Sequence, residues 1–169
     1  LKDNSATIKG MKRPAARVAV YYDLEEKLFA FNGNYSEETQ HHAAQGFYKA
    51  MERANIPVDF LAPCEIKEGV LDGYSVLLCP EPYWMHPDIS AKIRDWVERG
   101  GVIISEAYFA GYNAATGRHS YVLPGQGFDE VFGVRQVAAR PVRWDFDKYC
   151  EEKLKVSLGR IALSLGSSR

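Results

Sequence analysis

Residues 71–111, LDGYSVLLCPEPYWMHPDISAKIRDWVERGGVIISEAYFAG, decide the fold. Ser75-Val76-Leu77-Leu78-Cys79 and Val102-Ile103-Ile104-Ser105 are short apolar runs of the kind required by a sheet covered on both faces. Between them Ile89, Ile93, Trp96 and Val97 fall at i, i+4, i+7 and i+8, one stripe of an amphipathic helix. Pro87 suits the first turn of that helix, where its missing N–H would have been unpaired anyway. Gly100-Gly101 supplies a left-handed stop and the turn back into the sheet. A strand, helix and strand of this length predict a right-handed parallel crossover, with any function at the carboxyl ends of the two strands.

Upstream, Arg17-Val18-Ala19-Val20-Tyr21-Tyr22 predicts a first strand, and residues 23–35 read as a loop rich in acids and aromatics. Ser36 followed by Glu37 and Glu38 marks a helix start, a hydroxyl cap and then acids at the positive end of the dipole. Ala44, Phe47, Tyr48 and Met51 carry that helix to about Ala54. Ile56-Pro57 ends it, and Val58-Asp59-Phe60-Leu61 predicts a second strand at or near a sheet edge. Downstream, residues 108–126 form a long loop rich in Gly, Asn, Tyr and His, of a length that usually closes or binds something. Residues 127–132 allow a short helix stopped at Gly133. Leu154, Val156, Leu158 and then Ile161, Leu163, Leu165 alternate around Gly159-Arg160, a hairpin pattern. The sum predicts a flavodoxin-like, doubly wound α/β fold with a mostly parallel sheet of order 2-1-3-4 and a hairpin-like C-terminal extension. Residues 1–16 read as an arm or linker, 17–135 as the α/β domain, and 136–169 as the extension, either extra strands of the same domain or part of a next one.

Composition narrows the function classes. A chain of 169 residues, 46% hydrophobic and 25% charged, suffices for one well-buried domain. The net charge of −1 gives no electrostatic case for nucleic acid or an anionic membrane. No apolar run approaches the roughly 18–20 residues of a membrane span. Three cysteines, odd in number and without CxxC spacing, argue against a disulfide scaffold or zinc site and favour a reducing, cytoplasmic setting. The start without Met or leader and the end directly after a strand pattern suggest an excised piece of a longer polypeptide.

Candidate chemistry gathers at the carboxyl edge. Asp23, Glu25, Glu26, Glu81 and Glu106 fall at or just beyond strand ends. Such acids could hold Mg²⁺ or act as acid and base, or could simply be solvated loop acids. A hydrolase or amidotransferase on this fold needs a nucleophile on the sharp turn after a central strand. That turn, residues 106–111, offers no Ser or Cys at its apex. Ser105 precedes the turn, and Cys79 is followed by Pro80, which has no N–H for an oxyanion. His41 and His42 are adjacent on a helix and point about 100° apart, so they cannot share a metal. Tyr83-Trp84-Met85 reads as an exposed apolar tip suited to an interface, or as a local satellite core. Tyr112, Asn113, Arg118, His119 and Tyr121 form a polar-aromatic surface in the long loop, suiting a sugar or a partner protein. No glycine-rich phosphate loop follows the first strand, so no nucleotide or flavin cofactor is expected.

The motifs RVAVYYD, NIPVDFLAP, LDGYSVLLCPEPYWM, IRDWVERGGVIISEAYFAG and GQGFDEVFGV resemble, in order, the β-galactosidase trimerisation domain, the middle domain of family-42 glycoside hydrolases. That resemblance implies a class I glutamine-amidotransferase-like fold whose nucleophile, aligned near Ala107, is absent. It also implies a domain that follows a catalytic barrel and contributes to trimer assembly, the sugar-cleaving glutamates residing in the barrel. The expectation is a non-catalytic homo-oligomerisation domain, with Tyr83, Trp84, Met85, Phe109, Tyr112, Arg118 and His119 at the interface. The alternative is a ligand, carbohydrate or hydrolytic site using Asp23, Glu81 and Glu106 beside Tyr108.

Overall fold

Backbone pairing in the computed structural model organises the chain around four parallel strands. They are Val18–Tyr21 (β1), Val58–Leu61 (β2), Val76–Cys79 (β3) and Val102–Ser105, numbered β5 because a two-residue strand, Trp84–Met85 (β4), precedes it. The structure describes residues 5–12, 14–32 and 37–138. Residues 1–137 form one compact unit, and the second unit, 138–169, lies outside the described residues apart from Ala138. The expected hairpin at 154–165 and the Ser36 cap fall outside them as well.

The order β2-β1-β3-β5 is the predicted 2-1-3-4 counted along the main sheet, with β2 on an edge as expected. Register sets Val18 opposite Val58 and Val76, and Val76 opposite Val102. Side chains alternate along each strand, so Ala19, Tyr21, Leu61, Leu77, Cys79 and Ile103 share one face. That face meets Ile89, Ile93 and Trp96 of Pro87–Glu98 (α5), the stripe read from the sequence, and forms the core. The Trp96 ring lies over Gly101, where any Cβ would collide with it, so the Gly-Gly stop serves packing as well as backbone turning.

The opposite face is covered unequally. Phe47 and Met51 of Glu37–Arg53 (α3) pack on Val20, Val58 and Leu78. On β5, Val102 is 51% and Ile104 49% exposed, so the expectation of a strand buried on both faces fails there. β5 is the far edge of the described sheet, and α3 covers the β2-β1-β3 side.

Several elements were not predicted. The segment 23–35, expected to be a loop, contains a helix, Leu24–Asn32 (α2). Its polarity is inverted: Leu24 and Leu28 are 65% and 62% exposed while Glu26 is buried, so a search for an apolar stripe facing inward misses it. Pro63–Lys67 (α4) and a 3-10 turn, Val70–Gly73, join β2 to β3. Inside the predicted long loop, Tyr112–Asn113 (β6) and Arg118–His119 (β7) build a second small sheet of order β4-β6-β7. Two-residue strands carry no period, so only tertiary pairing reveals them. Ser5–Gly10 forms a short helix (α1) in the N-terminal arm, and Phe128–Phe132 (α6) stops at left-handed Gly133 as expected. No helix among the described residues is long and apolar enough to cross a membrane.

Candidate functional site

The carboxyl edge of the sheet is where the sequence placed its acids, and three of them, Asp23, Glu26 and Glu106, accept the chain's own backbone N–H groups. Asp23 caps α2: its Oδ1 accepts the Glu25 N–H at 2.8 Å, and its Oδ2 accepts the Tyr21 hydroxyl at 3.1 Å. Glu26, one turn into α2, accepts the N–H groups of Tyr83 and Trp84. Glu106 Oε2 accepts the Glu81 N–H at 3.0 Å, steadying a residue held at φ 41°. Asp23 and Glu106 thus each engage a backbone amide, that of Glu25 and that of Glu81. Among the described residues no group of three His, Cys, Asp or Glu side chains is placed to hold a metal ion.

Burial governs the electrostatics. Desolvation raises the pKa of Glu26 well above the ordinary carboxylate range, opposed by the Trp84 and Tyr83 N–H bonds and reinforced by the charges of Asp23 and Glu81. Desolvation likewise raises Asp23, Glu106 and the buried Cys79 thiol, whereas Glu25 is lowered by its bond to His86 at 2.9 Å. A carboxyl raised in the folded state keeps its proton longer folded than unfolded. Stability is then greatest below the unfolded carboxylate pKa and declines as pH rises towards the folded one. Replacing Glu26 by Gln keeps the shape and an oxygen for the two amides. It is expected to flatten the decline of Tm above about pH 4.5. The flattening is partial, because Asp23 and Glu106 share the sign. Parallel Tm–pH profiles for Glu26→Gln and the parent chain would refute this.

What the edge does present is aromatic. Trp84 of β4 stacks on Tyr112 of β6 with centroids 5.2 Å apart and planes at 17°. Phe29 of α2 closes on both at 4.6 Å. Tyr83 bridges outward, 5.2 Å from His119 and 6.1 Å from Tyr108. Backbone bonds hold the layer: Ala110 N–H donates to Pro82 O at 2.7 Å and Tyr112 N–H to Tyr83 O at 2.8 Å. The turn after β5 takes left-handed conformations at Tyr108 (φ 64°) and Ala110 (φ 49°). Its apex thus presents a phenol ring where the fold could carry a nucleophile.

Tyr83, Trp84, Tyr108, Tyr112 and His119 are joined by ring contacts and are half-buried or exposed; Arg118 is exposed too, but it pairs with Asn113 on the Met85 side of the small sheet. Met85 and Phe109 are buried, at 0% and 1% exposure. The expectation of both as interface residues is corrected, since the alternation of β4 turns Met85 inward and the tight turn drops Phe109 between Phe128 and Phe132. Phe29 is the aromatic member that sequence reasoning missed, because α2 carries leucines outward and Glu26 inward and so shows no apolar stripe.

The family described as "Beta-galactosidase trimerisation domain" matches residues 16–155. The chain belongs to the β-galactosidase trimerisation domain family. Trimerisation domains of this family are non-catalytic parts of glycoside hydrolases that form oligomers. Solved structures agree on the fold. A β-galactosidase from Bifidobacterium adolescentis superposes with TM-score 0.66 at 14% identity over 76% of this chain and 59% of that one. Gan42B, a GH42 β-galactosidase from G. stearothermophilus, gives TM-score 0.67 at 20% identity over 83% of this chain and 20% of that one. A polyextremophilic β-galactosidase from the haloarchaeon Halorubrum lacusprofundi gives 0.59 at 24% identity over 76% and 19%. The trimerisation domain thus spans between a fifth and three-fifths of these relatives. No curated protein matched the sequence.

Proposed function

We propose that this chain is the oligomer-forming domain of a β-galactosidase-like glycoside hydrolase, without turnover of its own. It associates with copies of itself through the aromatic surface of the small sheet. The carrying observation is the layer Tyr83, Trp84, Tyr108 and Tyr112, rimmed by His119 and braced from behind by Glu26. Rigid aromatics with a polar rim are the composition that concentrates binding energy at protein interfaces. The parent enzyme's substrate, in this reading a β-galactoside, is cleaved by a barrel that this chain does not contain. The near-neutral net charge supports neither nucleic acid nor an anionic membrane as partner.

Sedimentation of the chain across a concentration series tests this. A trimer is expected, and Trp84→Ala or Tyr108→Asn should each weaken it by about 2 kcal/mol, roughly 30-fold. Asn is chosen at 108 because it tolerates the left-handed backbone there. A monomer at every concentration, or measurable hydrolysis of a nitrophenyl β-galactoside by the purified chain, would overturn the proposal.

A further inference from the structure

The amino edge of the main sheet, away from the aromatic layer, carries a polar pocket of about 290 Å³. It lies between the 3-10 turn Val70–Gly73, the start of β3 and the end of α5. Asp72, Tyr74, Ser75, Trp96, Arg99 and Gly101 line it. Trp96 is the informative member. Its ring is 4% exposed, its fused edge lies over Gly101, and it lines this pocket with the surface it keeps. An indole has one polar atom, a nitrogen that can only donate. Among the described residues no acceptor takes the Trp96 N–H, although a buried Trp N–H ordinarily has a partner.

The groups around that N–H are only half used. Arg17 forks onto Ser75, with Nε 3.2 Å and Nη2 2.8 Å from Oγ. The fork takes both lone pairs of the hydroxyl, so the Ser75 proton is left to donate elsewhere. Arg99 Nη2 donates to Asp72 Oδ1 at 2.5 Å, which leaves Asp72 Oδ2 as an acceptor and further Arg99 N–H groups as donors. The lining thus combines donors from Ser75, Trp96 and Arg99 with an acceptor from Asp72, and the Arg99 and Asp72 charges offset one another. An inorganic anion would satisfy the donors but would stand against the Asp72 carboxylate. A neutral ring bearing several hydroxyls satisfies both kinds of group, because each hydroxyl accepts and donates. The volume sits at the lower bound of ligand pockets, about 300 Å³, which suits one sugar ring and not a chain of them.

We infer that this pocket binds a single neutral pyranose, with Asp72 accepting from its hydroxyls and Ser75, Trp96 and Arg99 donating to them. The site lies apart from the association surface proposed above and stands or falls independently of it. The test is a titration of the whole chain with D-galactose, D-glucose and inorganic phosphate in turn. It is read on the indole N–H resonances of Trp84, Trp96 and Trp144, with Trp96→Phe identifying the one from Trp96. The Trp96 resonance is expected to move saturably with a sugar in the millimolar range, as suits a handful of net hydrogen bonds, while the Trp84 resonance stays and phosphate moves neither. Asp72→Ala and Ser75→Ala, at an exposed and a half-buried position, are each expected to weaken binding at least about tenfold. A Trp96 resonance that stays in place at ~100 mM of both sugars, far above that range, overturns the site. So does a response to phosphate alone, or sugar binding that neither variant weakens. Movement of the Trp84 resonance in place of that of Trp96 overturns it as well, since the sugar would then lie on the aromatic layer.

Discussion

Phe109→Ala is expected to lower stability by about 3–5 kcal/mol, the range for deleting a buried aromatic ring. Phe109 is 1% exposed, and its ring meets Phe128 at 4.4 Å and Phe132 at 5.3 Å in edge-to-face arrangements. Removing it leaves a cavity between the turn after β5 and α6, and the aromatic pair contacts, each about 0.5–1.5 kcal/mol, disappear with it. A domain of this kind has only about 5–15 kcal/mol in total. Thermal unfolding should therefore move down by roughly 6–20 °C. The functional consequence follows from position. Phe109 is next to Tyr108, and Ala110 holds the turn to Pro82, so the aromatic surface loses its support together with the core. A shift of Tm below about 3 °C would mean that the ring is not packed as described.

Gly125→Ala should be comparably severe for a different reason. The Gly125 backbone has an ordinary conformation, so no conformational penalty applies, but there is no room for a side chain. A Cβ there would penetrate the Ala110 carbonyl oxygen and stand 2.7 Å from Ser120 Oγ. The obstacle is backbone and cannot swing aside. The loop must lift from the turn at 108–111, breaking the Gly125–Phe109 bond and straining the two bonds of Gln126, to Met85 O at 3.0 Å and from Ser90 Oγ at 2.7 Å. At about 1 kcal/mol per net hydrogen bond plus overpacking, the loss is at least about 3 kcal/mol. The turn at 108–111 carries Tyr108 of the proposed association surface, so association should fall further than stability alone explains. Wild-type melting and sedimentation in Gly125→Ala would show that the loop does not rest on the turn.

The two substitutions also mark where pattern reading stops. The crossover from β3 through α5 to β5 was legible because Ile89, Ile93, Trp96 and Val97 repeat at helical period between two apolar runs. The composition of the turn after β5 was legible too, since residues 106–111 contain neither Ser nor Cys. Helix α2 was not, because its buried side carries Glu26 and its exposed side carries leucines, against the usual amphipathic sense. The small sheet was not, because strands of two residues have no period to read.

By itself the sequence determined the order of the main strands, the stripe of α5, the glycine stops and a turn after β5 without Ser or Cys. These are local properties: side-chain period, backbone freedom at glycine, and the identity of the residue at a turn. Tertiary structure alone decided that Met85 and Phe109 are core while Tyr83, Trp84, Tyr108 and Tyr112 form a surface. It also decided that Asp23, Glu26 and Glu106 hold backbone amides. Those outcomes depend on which segments distant in sequence come to share a few ångströms, as when Glu26 receives the N–H groups of Tyr83 and Trp84 from 57 and 58 residues away. No periodicity within either segment encodes that meeting.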